Sequence, residues 1–174
     1  PVFTLWKKRF SNDFWVGRSD STLSYYSYQT DRIERVKGAL SEHPFELHGL
    51  YEENDSTLWI STINSGVMRV SISDYDHPRI VSSQPIHCMS GEKTITEFSS
   101  LLVEGDSVLW CGTRGYGLVR ISIANQKVQV ISLKEKLKKA VDDVLCLCAY
   151  SDKLLFVGTT AGLVAIEREG GQLN

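Results

Sequence analysis

Arg114 and Tyr116 stand two residues apart across Gly115, a guanidinium and a phenol ring displayed together where glycines bend the chain. Such a pair suits an anion with a flat body. The planar arginine fork matches a carboxylate or sulfate with two parallel donors, and the neighbouring ring offers a face for stacking. Arg18, Asn64, His43 and His87 extend the same kind of polar display, with Ser19, Asp20, Ser65, Glu92, Lys93 and Thr160 beside them. A plainer reading competes at each position, in which Tyr116 fills surface space and Arg114 is simply solvated.

Catalytic chemistry has thinner support. Glu46, His48 and Glu97 are the titratable groups that innermost strands would supply, against Leu5, Phe98 and Leu145 in the equivalent stretches. A glycosidase-like carboxylate pair or a calcium site needs a denser set of oxygens. Asp142 and Asp143 are adjacent, so their side chains diverge in extended backbone, and no Gly-x-Ser-x-Gly nucleophile turn occurs. Cys146 and Cys148 fall on one face of a strand, a poor geometry for bonding to each other, and a Cys-x-Cys pair without His or a second pair is a weak metal signal. Buried free thiols are expected, with a disulfide from Cys88 to another cysteine left open. The chain reads as non-catalytic, with no cofactor and no metal.

Positioning the polar display falls to a repeated element. An aromatic strand followed by a glycine-bearing turn returns four times, as Phe14-Trp15-Val16-Gly17-Arg18, Leu58-Trp59-Ile60-Ser61-Thr62, Leu109-Trp110-Cys111-Gly112-Thr113 and Leu155-Phe156-Val157-Gly158-Thr159. The aromatic anchors are 44, 51 and 46 residues apart, the length of one four-stranded propeller blade with its loop. The third unit shows the pattern: residues 95–104, 108–113, 118–123 and 127–132 read as β-prone runs separated by turn residues. The fold class is therefore all-β, a β-propeller of four-stranded antiparallel blades over residues 1–37, 45–84, 95–132 and 144–174. The fourth is incomplete, because little chain is left for its outermost strand.

Apolar runs without alternation, such as Leu109-Trp110-Cys111, fit strands covered on both faces by neighbouring blades. About four blades lie at the low end of the roughly four to eight that close a ring. The sequence thus predicts a segment of a larger propeller, or one completed by a second copy of the chain. One stretch breaks the all-β pattern. Leu133, Leu137 and Val141 recur at helical spacing with Ser132 as N-cap, predicting a short helix over 133–141 whose lysines form a solvated face.

Composition narrows the partners. The 174 residues carry a formal charge of −2 and are 42% hydrophobic, so there is no basic excess for nucleic acid. The longest apolar runs fall far short of the roughly 20 residues of a membrane helix, and no direct membrane insertion is expected. The sequence starts at Pro1 with neither Met nor a leader pattern, and is expected to be a processed protein or an excerpt of a longer one.

The run Asp106-Ser107-Val108-Leu109-Trp110-Cys111-Gly112-Thr113-Arg114-Gly115-Tyr116-Gly117-Leu118-Val119-Arg120-Ile121 resembles the two-component regulator propeller repeat, whose core is Leu-Trp-Ile-Gly-Thr followed by Gly-Leu and an apolar strand. All four units share the likeness, with departures at Ser61, Val67, Arg18 and Phe156, and with Thr22-Leu23 where Gly-Leu is expected. The motif residues themselves are scaffold: the aromatic bridges blades and the glycine makes room for it.

The resemblance implies the extracytoplasmic sensor region of a bacterial hybrid two-component histidine kinase, periplasmic and anchored through its parent in the inner membrane. It also implies an oligosaccharide ligand, with signalling to a kinase domain elsewhere in the parent. Propeller loops from the second to the third strand, and from the outer strand to the next inner strand, share one rim. There Arg114 and Tyr116 lead the candidates, with Arg18, Asn64, His43 and His87 behind them. An interaction propeller that scaffolds a partner protein is the alternative.

Overall fold

The computed structural model describes residues 2–137, 141–151, 153–169 and 172–173. The chain divides into two compact units, residues 1–86 and 87–174. In the first unit, β1 (Val2–Lys7), β2 (Phe14–Arg18), β3 (Leu23–Ser27) and β4 (Arg32–Arg35) form one antiparallel meander, and β5 (Glu46–Asn54), β6 (Thr57–Ile63), β7 (Val67–Ser73) and β8 (Arg79–Ile86) form the next. The second unit opens with a small hairpin of β9 (Met89–Ser90) and β10 (Lys93–Thr94). Its two larger sheets are β11 (Phe98–Glu104), β12 (Val108–Thr113), β13 (Leu118–Ser122), β14 (Val128–Ile131), then β15 (Val144–Ser151), β16 (Leu154–Thr159), β17 (Gly162–Glu169) and β18 (Gln172–Leu173). Each four-stranded sheet is a propeller blade.

Burial follows strand position. β6 and β12 are buried at every residue, which explains why their sequences do not alternate, whereas all four residues of β4 are exposed. Trp15, Trp59 and Trp110 are completely buried. Trp15 packs in one core with Leu47 and Leu50 of the following blade, and Trp110 does so with Val144 and Leu155 of its own following blade. Phe156 is only half-buried and meets the Tyr150 ring edge-on at 5.9 Å.

Every inner strand breaks register at the same place. The shifts fall between Val2 and Thr4, Leu47 and Gly49, Phe98 and Ser100, and Val144 and Cys146. A bulge re-aims the side chain beside it. Leu47 thereby reaches Gly17 of the preceding blade, and Val144 reaches Gly112: a β-carbon at those glycines would lie 3.0 Å from Leu47 Cδ2 and 2.5 Å from Val144 Cγ1. The motif glycine is the hole into which the next inner strand sets an apolar knob.

Several expectations need correction. The helix α1 spans Leu133–Leu137 rather than 133–141: Val141 is outside it, and residues 138–140 lie outside the described residues. Ser132 does cap it, accepting the Glu135 amide at 3.2 Å. The inner strand of the third blade begins at Phe98 instead of Ile95, and the β9–β10 hairpin was not foreseen because its six residues carry no apolar alternation. The outermost strand of the fourth blade, by contrast, is as short as expected, two residues long. The expected turn before it falls partly on Gly170 and Gly171, outside the described residues. All four cysteines are free, with Cys88 and Cys111 buried as expected, but Cys146 and Cys148 are exposed.

Candidate functional site

The turns that carry the rim candidates are built by one device. In the third blade the Thr113 hydroxyl donates to the Gly117 carbonyl at 2.8 Å while its oxygen accepts the Tyr116 amide at 3.2 Å. Thr62 closes the second blade's turn identically, donating to Gly66 and accepting from Ser65, and Thr159 closes the fourth, donating to Gly162 and accepting from Ala161. The first blade has Arg18 at that position and uses another solution. Asp20 there takes the Thr22 hydroxyl and two bonds from Arg18 Nε, at 3.1 and 3.3 Å. The Thr22 hydroxyl, with help from Arg18, holds the Asp20 carboxyl below its usual range.

These turns display the side chains singled out in the sequence. Arg114 is exposed and Tyr116 half-buried, and the Arg114 guanidinium lies 3.8 Å from Glu97, whose carbonyl also accepts the Arg114 amide. The Gly117 amide bonds the Asp142 carbonyl, tying this turn to the loop ahead of the fourth blade. In the first unit, Ser21 exchanges hydrogen bonds with the Phe45 backbone, and the Ser41 and Ser65 hydroxyls are 3.5 Å apart. Those contacts stitch the loops of Arg18, His43 and Asn64 into one border. His43 and Asn64 are exposed on it, and Asn64 sits at φ 85°. His87 is exposed in the second unit. Both arginines already face a carboxylate. Exposed pairs of this kind are worth only about 0–1 kcal/mol, so an anionic ligand can displace them at little cost.

Other polar residues are organised in a way the sequence reading missed. Trp59 donates its indole N–H to Glu53 at 2.8 Å, and Trp110 does so to Glu104 at 2.6 Å, each acceptor six residues upstream. Arg69 also bonds Glu53, and although burial works against it, Arg69 and Trp59 together hold that carboxyl below its usual range. In the first blade Arg9 occupies the glutamate position. Trp15 turns instead to Glu52 of the next blade at 2.5 Å, which also accepts the Tyr75 hydroxyl at 2.6 Å and the Arg9 amide.

Beside this hub lies Lys8, with its side chain fully enclosed. Its ammonium is 4.5 Å from the ring centres of Trp15 and Tyr75 and 4.8 Å from that of Tyr25, donates to the Tyr75 carbonyl at 2.7 Å, and faces Asp13 at 3.9 Å. Burial pushes the Lys8 pKa down and the Tyr25 phenol up to about 12. One signal for this arrangement was present: Arg9 replaces the glutamate that the second and third tryptophans use, so Trp15 had to find its acceptor elsewhere. Among the described residues no group of three His, Cys, Asp or Glu side chains is placed to hold a metal.

No family model matches the sequence, and neither does any curated protein. Solved structures do. The extracellular domain of BT4673, a proposed one-component system of B. thetaiotaomicron, is similar over 99% of this chain and 24% of its own length, with a TM-score of 0.73 at 16% identity. The extracellular domain of BT3049, a proposed hybrid two-component system of the same organism, is similar over 94% of this chain and 21% of its own, with a TM-score of 0.67 at 17% identity. PorZ, an essential surface component of the type IX secretion system of Porphyromonas gingivalis, is similar over 95% and 25%, with a TM-score of 0.68 at 16% identity. This chain therefore spans about a quarter of the length of the structures it matches. Likeness at such identity establishes the fold, a β-propeller of four-stranded antiparallel blades.

Proposed function

We propose that the chain is a non-catalytic, ligand-sensing segment of a larger β-propeller from a bacterial extracytoplasmic sensor. The observation that carries this reading is the match along nearly the whole chain to two extracellular domains of proposed regulatory systems. The parent protein is periplasmic, is anchored in the inner membrane and signals to a histidine kinase domain. The ligand is an oligosaccharide held on the rim, with Arg114 taking an acidic substituent and Tyr116 stacking on a sugar ring. Arg18, His43 and Asn64 offer a similar polar display within the first unit, and His87 is a further candidate in the second.

The open blade faces support the segment reading. Leu47, Phe98 and Val144 share one position beside the inner-strand bulge and are fully buried, whereas Val2 at that position in the first blade is 48% exposed. Among the described residues, no side chain from another blade lies within 4 Å of a β-carbon placed at Gly158, the counterpart of Gly17 and Gly112. A further blade, bringing an apolar knob opposite Gly158, is the occupant these faces fit.

A second reading, a scaffold propeller that binds a partner protein, is favoured by the likeness to PorZ, a secretion-system component. A thermal-shift screen of acidic and neutral oligosaccharides separates the two. The sensor reading expects one defined acidic sugar to raise the melting temperature, and Arg114→Ala to abolish the rise. If no sugar stabilises the folded chain, the scaffold reading takes its place, and hydrolysis products in the sample would overturn both.

A further inference from the structure

At the ends of the strands opposite the Arg18, His43 and Asn64 turns, the first unit encloses a cavity of about 290 Å3. Three connections build it: the β1–β2 loop, the β3–β4 turn and the β7–β8 loop. Its carboxylates are Asp13, Glu34 and Asp76, its one imidazole is His77, its phenol rings are Tyr25 and Tyr28, and the rest of the wall is hydroxyl and amide side chains from residues 11–12 and 27–30.

The wall is held in place from behind. Asp13 faces the buried Lys8 ammonium and accepts the Tyr28 amide at 2.9 Å. Tyr25 lays its ring against the same ammonium and donates its hydroxyl to Glu34 at 2.9 Å. Two carboxylates and one ring of the cavity are thus fixed by a single enclosed cation. Preorganisation of this kind removes much of the ordering cost of binding. His77 is drawn to Asp74, 3.7 Å away and outside the lining, and Asp13 is answered by Lys8, so that Glu34 and Asp76 are the carboxylates left to set the charge of the cavity.

We propose that this cavity binds a small hydroxylated organic cation, a protonated amine on a polar ring-sized body, of which an amino sugar is the simplest example. The excess of carboxylate sets the sign of the charge. Carboxylate oxygens and the faces of tyrosine rings both receive an ammonium, by charge-assisted hydrogen bonds and by cation–π attraction. The layer beneath the cavity already uses that chemistry on Lys8. The volume is near the lower end of the roughly 300–1,000 Å3 of small-molecule sites, which admits a single ring, and the hydroxyl and amide lining suits a polyol body better than an alkyl one.

The site is separate from the rim and stands on different residues. Its test is calorimetric titration of the whole chain with glucosamine, with glucose and N-acetylglucosamine as neutral controls. Glucosamine is expected to bind and the two controls to bind at least roughly tenfold more weakly, since one charge-assisted bond is worth that much. Glu34→Gln and Asp76→Asn should each weaken glucosamine by roughly tenfold while Arg114→Ala leaves it unchanged. Asp76→Asn guards against a folding artefact at Glu34, whose partner Tyr25 is a core residue. Equal binding of glucosamine and glucose, no binding of glucosamine by the folded chain, or binding indifferent to both substitutions would each overturn the proposal. None of those outcomes bears on Arg114.

Discussion

Lys8 shows how far one side chain can be moved from its habit. Lysine is almost never fully buried unless paired, yet here the ammonium is enclosed by three aromatic rings and one carboxylate. Burial pulls its pKa below the ordinary 10.5, with Asp13 and Glu52 pulling the other way. The unfolded chain then holds the Lys8 proton at a pH where the native chain has released it, so Lys8's contribution to stability rises with pH up to about 10.5. Tyr25 and Cys88, both pushed up to about 12, and Tyr75 and Cys111, also raised, act oppositely. They keep protons in the native state that the unfolded state loses above about pH 9–10, and stability falls there. Comparison of Lys8→Met with the wild type subtracts what those four groups contribute in common. In urea denaturation, the stability of Lys8→Met relative to wild type should decline with rising pH over the alkaline range up to about pH 10.5. A difference that stays flat across that range would falsify the assignment.

Among the elements, the bulge on each inner strand and the glycine on each second strand are one interlock. Gly112→Ala would press a methyl group against Val144 Cγ1 and Ser100 Oγ, each at 2.5 Å, at a cost of about 1–3 kcal/mol. Gly158→Ala meets a side chain only at Cys146 Sγ, the end of an exposed residue, and should cost less. Paired denaturation curves for the two variants check the order, and equal losses would mean that the next blade's knob is not what the glycine accommodates. The strands themselves were legible in the sequence, because an aromatic run such as β12 and a turn at Gly105-Asp106 leave little choice of pairing. The bulges were not, since a one-residue register shift leaves the apolar pattern of Leu47 or Val144 unchanged. The rim turns were legible from Arg114 and Asn64 beside glycines. The Lys8 hub was hidden, since Lys7-Lys8-Arg9 at the end of a strand reads as solvated charge until Trp15, Tyr25 and Tyr75 are seen to converge. The fourth repeat carries a further hint: Phe156 has no indole N–H, and Tyr150 stands where Glu104 serves Trp110.

For the molecule as a whole, the described residues include no helix long and apolar enough to cross a membrane, and two faces hold apolar groups in solvent. Leu5 is 61% exposed on the first blade, and Tyr150 and Leu163 are 75% and 72% exposed on the fourth. Large apolar side chains exposed on the blade faces suit surfaces that another body covers. Light scattering on the purified chain should therefore detect association, and Leu163→Glu should reduce it. A monodisperse monomer would count against the larger propeller. The threonine lock of the rim turns has a different consequence. Thr113 closes its loop through its own hydroxyl, one main-chain amide and the Gly117 carbonyl, so the three residues between are a cassette whose side chains take no part in the fastening. The side chains shown at these turns can drift, or be grafted, one cassette at a time on an unaltered chassis.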